Sequence, residues 1–173
     1  YKPINIYGDG ANVKVDNLTI TIDGNLENYG VSLQGDLVNT FTLGENAKIN
    51  TGSVNTSGIF VESDTYVMNV NIEGNIISDG QGIGVSEHGY LYSLMISGMI
   101  EVTGDYTCIS TNRNASDIMM LTLTETGILK APNGIAIYSA YAENGITSAT
   151  IDGTIAAEMA LQIGNKNEVG TIN

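Results

Sequence analysis

An aliphatic residue closing a short alternating run recurs along this chain, at Ile22, Leu43, Ile72, Ile96, Leu123 and Ile151, with intervals of 21, 29, 24, 27 and 28 residues. Repetition on that length scale marks an architecture of stacked units and excludes most compact folds. Each unit has the same parts. A strand-like run comes first, as in Leu18-Thr19-Ile20-Thr21-Ile22, Asn69-Val70-Asn71-Ile72 and Leu121-Thr122-Leu123. A turn and a second aliphatic follow, as in Gly74-Asn75-Ile76 and Gly153-Thr154-Ile155. An alternating pair then closes the unit: Val31 and Leu33, Ile59 and Val61, Ile83 and Val85, Ile135 and Ile137, Leu161 and Ile163. Gly30, Gly58, Gly82 and Gly134 stand immediately before four of these pairs, where glycine is expected to supply a positive φ.

Three short strands per unit predict an all-β fold: a single-stranded, right-handed parallel β-helix (a solenoid) of about six to seven coils of about 26 residues. Coils stacked at about 4.8 Å give a rod on the order of 30 Å long. Positions two before each anchoring aliphatic (Ile20, Phe41, Val70, Leu94, Leu121 and Ala149) form an inward column. Alternation with period two and 21 glycines argue against helices. A β-sandwich is the main alternative, and recurrence of the same turn offsets favours the solenoid. Residues 1–173 read as one domain, opening with a partial coil around Ile4, Ile6, Val13 and Val15. The closing residues Glu168 to Asn173 look like the start of another coil. Without a capping helix in sight, the expectation is a segment of a longer rod, or ends covered by self-association.

Nineteen acidic residues against six Lys or Arg leave a net charge of −13. Such a chain lacks the basic surface that phosphate neutralisation needs, so nucleic acid is excluded as a partner and anionic membrane is disfavoured. No apolar run is long enough to cross a bilayer as a helix, so direct membrane insertion is not expected. The lone cysteine, Cys108, can form no internal disulfide and reads as a small buried side chain. The acidic, cysteine-poor, Asn/Thr/Gly-rich composition suits an exported bacterial protein.

The runs Ala149-Thr150-Ile151-Asp152-Gly153-Thr154-Ile155, Asn133-Gly134-Ile135-Ala136-Ile137 and Val169-Gly170-Thr171-Ile172-Asn173 resemble the degenerate repeats of autotransporter passengers and related bacterial surface β-helix proteins. The resemblance covers nearly the whole chain. It implies a right-handed β-helix, an extracellular or cell-surface location, and adhesion or cell–cell association through host or bacterial surface glycans or proteins. Its motif encodes a fold and carries no functional residues with it.

Catalytic constellations are thin. One histidine and one cysteine leave little for a triad or a zinc site, and no cofactor or metal is expected. No glycine–aspartate calcium repeat appears. The best cluster comes from treating Val61, Val85 and Ile109 as equivalent. That places Asp64, His88 and Asn112 together at one corner, with Glu62, Glu87 and Arg113 nearby. As a ligand site it would suit a small glycan, or acid–base chemistry with Glu62 and Glu87 as the carboxylate pair. The plainer reading is a solvated turn, and it takes precedence. A carbohydrate-active enzyme of the pectin-lyase type, or its inactive binding relative, is therefore the runner-up to a non-enzymatic adhesin-like rod or stalk.

The outward side of the first strand offers a ladder of small polar groups: Thr19 and Thr21, Thr40 and Thr42, Asn69 and Asn71. These suit an exposed parallel strand whose side chains hydrogen-bond along columns, or an adhesive surface. Met95 and Met120 break the regularity an ice-binding array would need. Tyr66 and Tyr90 share one position in adjacent units and are expected to stack.

Overall fold

The computed structural model describes residues 3–22, 28–111, 116–139, 145–163 and 171–172. The strands in chain order are β1 (Ile4–Val15), β2 (Thr19–Ile22), β3 (Asn28–Leu43), β4 (Lys48–Thr51), β5 (Thr56–Val61), β6 (Tyr66–Ile72), β7 (Asn75–Ser78) and β8 (Gln81–Val85). They continue as β9 (Tyr90–Ile96), β10 (Met99–Val102), β11 (Thr107–Thr111), β12 (Asp117–Leu123), β13 (Ile128–Ser139), β14 (Gly145–Ile151), β15 (Thr154–Ile163) and β16 (Thr171–Ile172). Each pairs in parallel with a strand one turn away, in turns of ~27 residues. The fold is a parallel β-solenoid, and antiparallel sandwich pairing does not occur among the described residues.

Each turn crosses three faces. The first face holds the ends of β1 and β3, then β6, β9, β12, β14 and β16. The second holds β2, β4, β7, β10 and the beginnings of β13 and β15. The third holds the beginnings of β1 and β3, then β5, β8, β11 and the ends of β13 and β15. Because the long strands bend around corners, the ladders join into one 16-stranded sheet.

Period-two alternation sends one side chain inward, and in-register stacking places like on like. On the first face the column runs Val13, Phe41, Val70, Leu94, Leu121, Ala149. On the second it runs Ile20, Ile49, Ile76, Ile100, Leu129, Ile155. On the third it runs Ile4, Val31, Ile59, Ile83, Ile109, Ile137, Leu161. In the central turns these residues are fully buried. Each contributes roughly 1.5–3 kcal/mol of burial.

Three sequence expectations change. Leu43, Ile72, Ile96, Leu123 and Ile151 do share a column, but the residue below Leu43 is Val15, not Ile22. Ile22 lies on the second face, paired with Thr51. Alternation identifies a strand without saying which face it occupies, and the short first interval of 21 residues was the sign of that slip. On the third face the pair stacked on Ile109 and Thr111 is Ile137 and Ser139, so Ile135 faces outward. Finally, positive φ among the described glycines occurs only at Gly10, Gly35 and Gly145. Gly30, Gly58 and Gly82 are required by close approach: a Cβ on Gly30 would lie 2.5 Å from both the Gly58 carbonyl oxygen and Ile49 Cγ2.

Candidate functional site

The corner between the third and first faces holds Glu62, Asp64, Glu87 and His88. Val61 pairs with Val85, so Asp64 and His88 occupy equivalent turn positions in adjacent turns. Both are left-handed, with φ of 56° and 57°. Asp, Asn and His are the non-glycine residues that tolerate this region best, so the backbone alone accounts for their presence. Glu62 directly follows Val61 whereas Glu87 lies two residues beyond Val85, so the two carboxylates are offset by one position along the turn. Glu62 Oε1 accepts a 2.8 Å hydrogen bond from Ser32 Oγ on the turn below, and the Ser63 and Ser86 hydroxyls lie 3.0 Å apart. These bonds tie turns together along the corner. Asn112 and Arg113 lie outside the described residues. The strand before them already breaks the proposed alignment: Val85 pairs with Thr111, and Ile109 with Ile83. Thr111 misled the hydrophobic alignment because it is a polar residue pointing inward, where its hydroxyl donates to Ser139 Oγ at 3.0 Å.

The polar ladder divides in the same way. Thr40 and Thr42 pair with Asn69 and Asn71, and those with Ser93 and Met95. Thr19 and Thr21 stand on the second face beside Lys48 and Asn50, and the first-face positions below Thr40 and Thr42 belong to Asn12 and Lys14. Asn69 Nδ2 donates to the Asn39 carbonyl at 3.2 Å and reaches Thr40 Oγ1 at 3.5 Å, while Asn71 Nδ2 donates to Thr42 Oγ1 at 3.3 Å. The ladder amides therefore hold neighbouring turns together. Higher on this face the surface becomes apolar, with Tyr66, Met68, Tyr92, Met95 and Met120 exposed. The Tyr66 and Tyr90 rings meet between adjacent turns with centroids 5.4 Å apart, but they are tilted by 42° and not stacked as expected. Burial, reinforced by the Asp117 carboxylate one turn above, pushes the Tyr90 phenol above its usual range.

The feature that sequence reasoning missed is on the third face. Its outward side presents two columns: Tyr29, Ser57, Gln81, Thr107, Ile135, Met159, and Ser32, Phe60, Gly84, Ser110, Tyr138, Gln162. A cavity of about 290 Å³ is lined by Tyr29, Val54, Asn55, Thr56, Ser57, Phe60, Gln81 and Tyr106. A second, of about 250 Å³, is lined by Gln81, Asp105, Tyr106, Thr107, Ser110, Thr111, Ile135 and Tyr138. Gln81 and Tyr106 line both, so the two form one groove running along the rod. From the level of Tyr29 to that of Tyr138 it crosses four strand spacings, roughly 20 Å.

Small residues shape its floor. A Cβ on Gly84 would lie 2.7 Å from Gln81 Oε1 and 2.9 Å from Phe60 Cδ2, so glycine lets the amide and the ring lie down over the sheet. Tyr29 stacks on Phe60 with centroids 4.2 Å apart and planes 7° from parallel. Gln81 Oε1 is 3.4 Å from the Ser57 hydroxyl. Among the described residues the lining combines aromatic rings, amides and hydroxyls with a single carboxylate, Asp105, and contains no Lys or Arg. Two of the chain's bases are paired elsewhere, Lys14 with Glu73 at 3.2 Å and Lys130 with Glu101 at 2.6 Å. The only signal in the sequence was aromatic spacing. Tyr29 to Phe60 and Tyr106 to Tyr138 are each one turn plus a few residues, a pattern visible only once the register is known.

Among the described residues no group of three or more His, Cys, Asp or Glu could hold a metal ion. Comparison with known proteins yields no relative: no known family matches the chain, and neither the curated proteins nor the solved structures match it.

Proposed function

We propose that this chain is a non-enzymatic contact rod, adhesin-like, working at a bacterial surface or outside the cell and holding surface glycans or proteins along its length. The observation that carries this reading is the third-face groove: a continuous, ring-lined surface on a stiff parallel sheet, suited to an extended partner. Catalysis of the pectin-lyase kind would instead need carboxylates and bases converging in one groove. Among the described residues the acidic side chains sit mainly at the corners, and those lining the groove include one carboxylate and no cation. Rigid display favours many weak contacts, because little conformational entropy is lost when the partner binds.

The test is to immobilise the chain and expose it to bacterial and host cells and to a panel of neutral and acidic polysaccharides. Retained material and newly formed sugar ends are measured in the same samples. Retention without new ends is the expected result. New ends would replace this reading with the enzymatic one. Retention of neither cells nor polysaccharides would reduce the rod to a spacer.

A further inference from the structure

The geometry points to a specific ligand class for the third-face groove: an uncharged, linear oligosaccharide lying parallel to the rod axis, with its pyranose faces on the aromatic rings. This rests on the contact-rod reading and narrows it to one face and one chemistry. Three observations combine. The groove's length of roughly 20 Å crosses successive turns rather than following one strand, which suits an extended chain and not a compact small molecule. Its rings come as a stacked pair at one end, Tyr29 on Phe60, and as Tyr106 and Tyr138 toward the other. A sugar ring offers axial C–H groups to such faces and equatorial hydroxyls at its rim, and an aromatic side chain has the matching apolar face with a polar tip. Between the rings lie Gln81, which both donates and accepts, and Asp105, which accepts from hydroxyls.

Charge selects against acidic chains. With Asp105 in the groove, no Lys or Arg lining it among the described residues and a net charge of −13, a uronate or sulfated polymer meets repulsion. The first-face patch around Met68, Tyr92 and Met95 also has rings, but its Asn side chains are bonded within the sheet and its carboxylate, Asp117, is buried.

The experiment is calorimetric titration of the whole chain with neutral linear hexasaccharides (a β-linked glucan, a xylan and a mannan fragment) and with hexagalacturonate as the charged counterpart. Tyrosine emission serves as a second readout, because the chain has no tryptophan. At least one neutral hexasaccharide is expected to bind, and hexagalacturonate at least tenfold more weakly. Tyr106→Ala and Tyr138→Ala are each expected to weaken binding at least tenfold. Tyr138→Phe, which keeps the ring, should stay within about threefold of the wild type. Met95→Ala on the first face should change nothing. Circular dichroism and melting of each variant separate lost binding from lost folding.

The inference is overturned if no neutral hexasaccharide binds, if hexagalacturonate binds equally well, or if folded groove variants bind like the wild type. Loss of binding in Met95→Ala alone would move the contact surface to the first face. Capture of cells or proteins by a chain that binds none of the sugars would leave the contact-rod reading intact and remove only this ligand.

Discussion

Cys108 replaces glycine in an inward column: it stands one turn above Gly82 and one turn below Ala136. Its thiol is hydrogen-bonded to the Ile100 and Lys130 carbonyls at 3.6 and 3.4 Å. Burial, only partly offset by backbone hydrogen bonding at Lys130 and Val102, pushes the thiol pKa up to about 12. A thiol protonated in the folded chain but ionised in the unfolded one stabilises the fold below the unfolded value of about 9, and that contribution is lost as pH rises toward 12. The urea midpoint should therefore fall between pH 9 and 12 more steeply for the wild type than for Cys108→Ala. At neutral pH a thiol reagent should label the native chain only as fast as it opens, and an immediate reaction would contradict the burial. Thr107 is the opposite case, since its Oγ1 is shielded from solvent and has no hydrogen-bond partner. Thr107→Val keeps the β-branch and removes an unsatisfied group, so a gain of about 1 kcal/mol is expected in denaturant unfolding. Cys108 was legible as a small buried side chain, but whether the Thr107 hydroxyl found a partner depended on neighbours one turn away.

At the level of the strands, glycine marks where two faces meet closely. A Cβ on Gly58 would overlap Ile76 Cγ2, and one on Gly82 would overlap Ile100 Cγ2. These methyls come from the β-branched column of the second face. In the next turn that column changes to Leu129, whose branch point is one carbon further out, and the facing position admits Cys108. Gly58→Ala should therefore cost about 1–3 kcal/mol, measured by chemical denaturation, even though alanine is otherwise the easier residue to order. A neutral result would mean that the Ile76 side chain can move aside. Strand positions were readable from alternation, but register was not. It failed where an inward residue is polar, as at Thr111 and Ser139, and where an outward one is apolar, as at Ile135. The expected equivalence of Ile109 with Val61 and Val85 failed at Thr111, and Thr19 and Thr21 left the ladder with the slip at Ile22, whereas Asp64 and His88 keep equivalent positions in adjacent turns.

Over the whole molecule, every strand pairs with strands about one turn away, so stability propagates along one dimension. Inward residues in the middle turns are fully buried, whereas Ile4, Val15, Ile151 and Ile155 are only partly covered. Leu94→Ala should cost about 2–5 kcal/mol and lower amide protection on all three faces of the central turns. Ile155→Ala should lower protection mainly in β13 and β15, and hydrogen exchange resolved by peptide would distinguish the two patterns. The alternation of apolar and polar residues and their recurrence at about one turn were enough to specify a parallel solenoid, because burial of a repeating stripe needs only local periodicity. The groove was decided by the tertiary structure. Tyr29 meets Phe60, and Tyr106 comes to line one groove with Tyr138, only when successive turns are stacked in one register, and that register is set by side chains packing across the core.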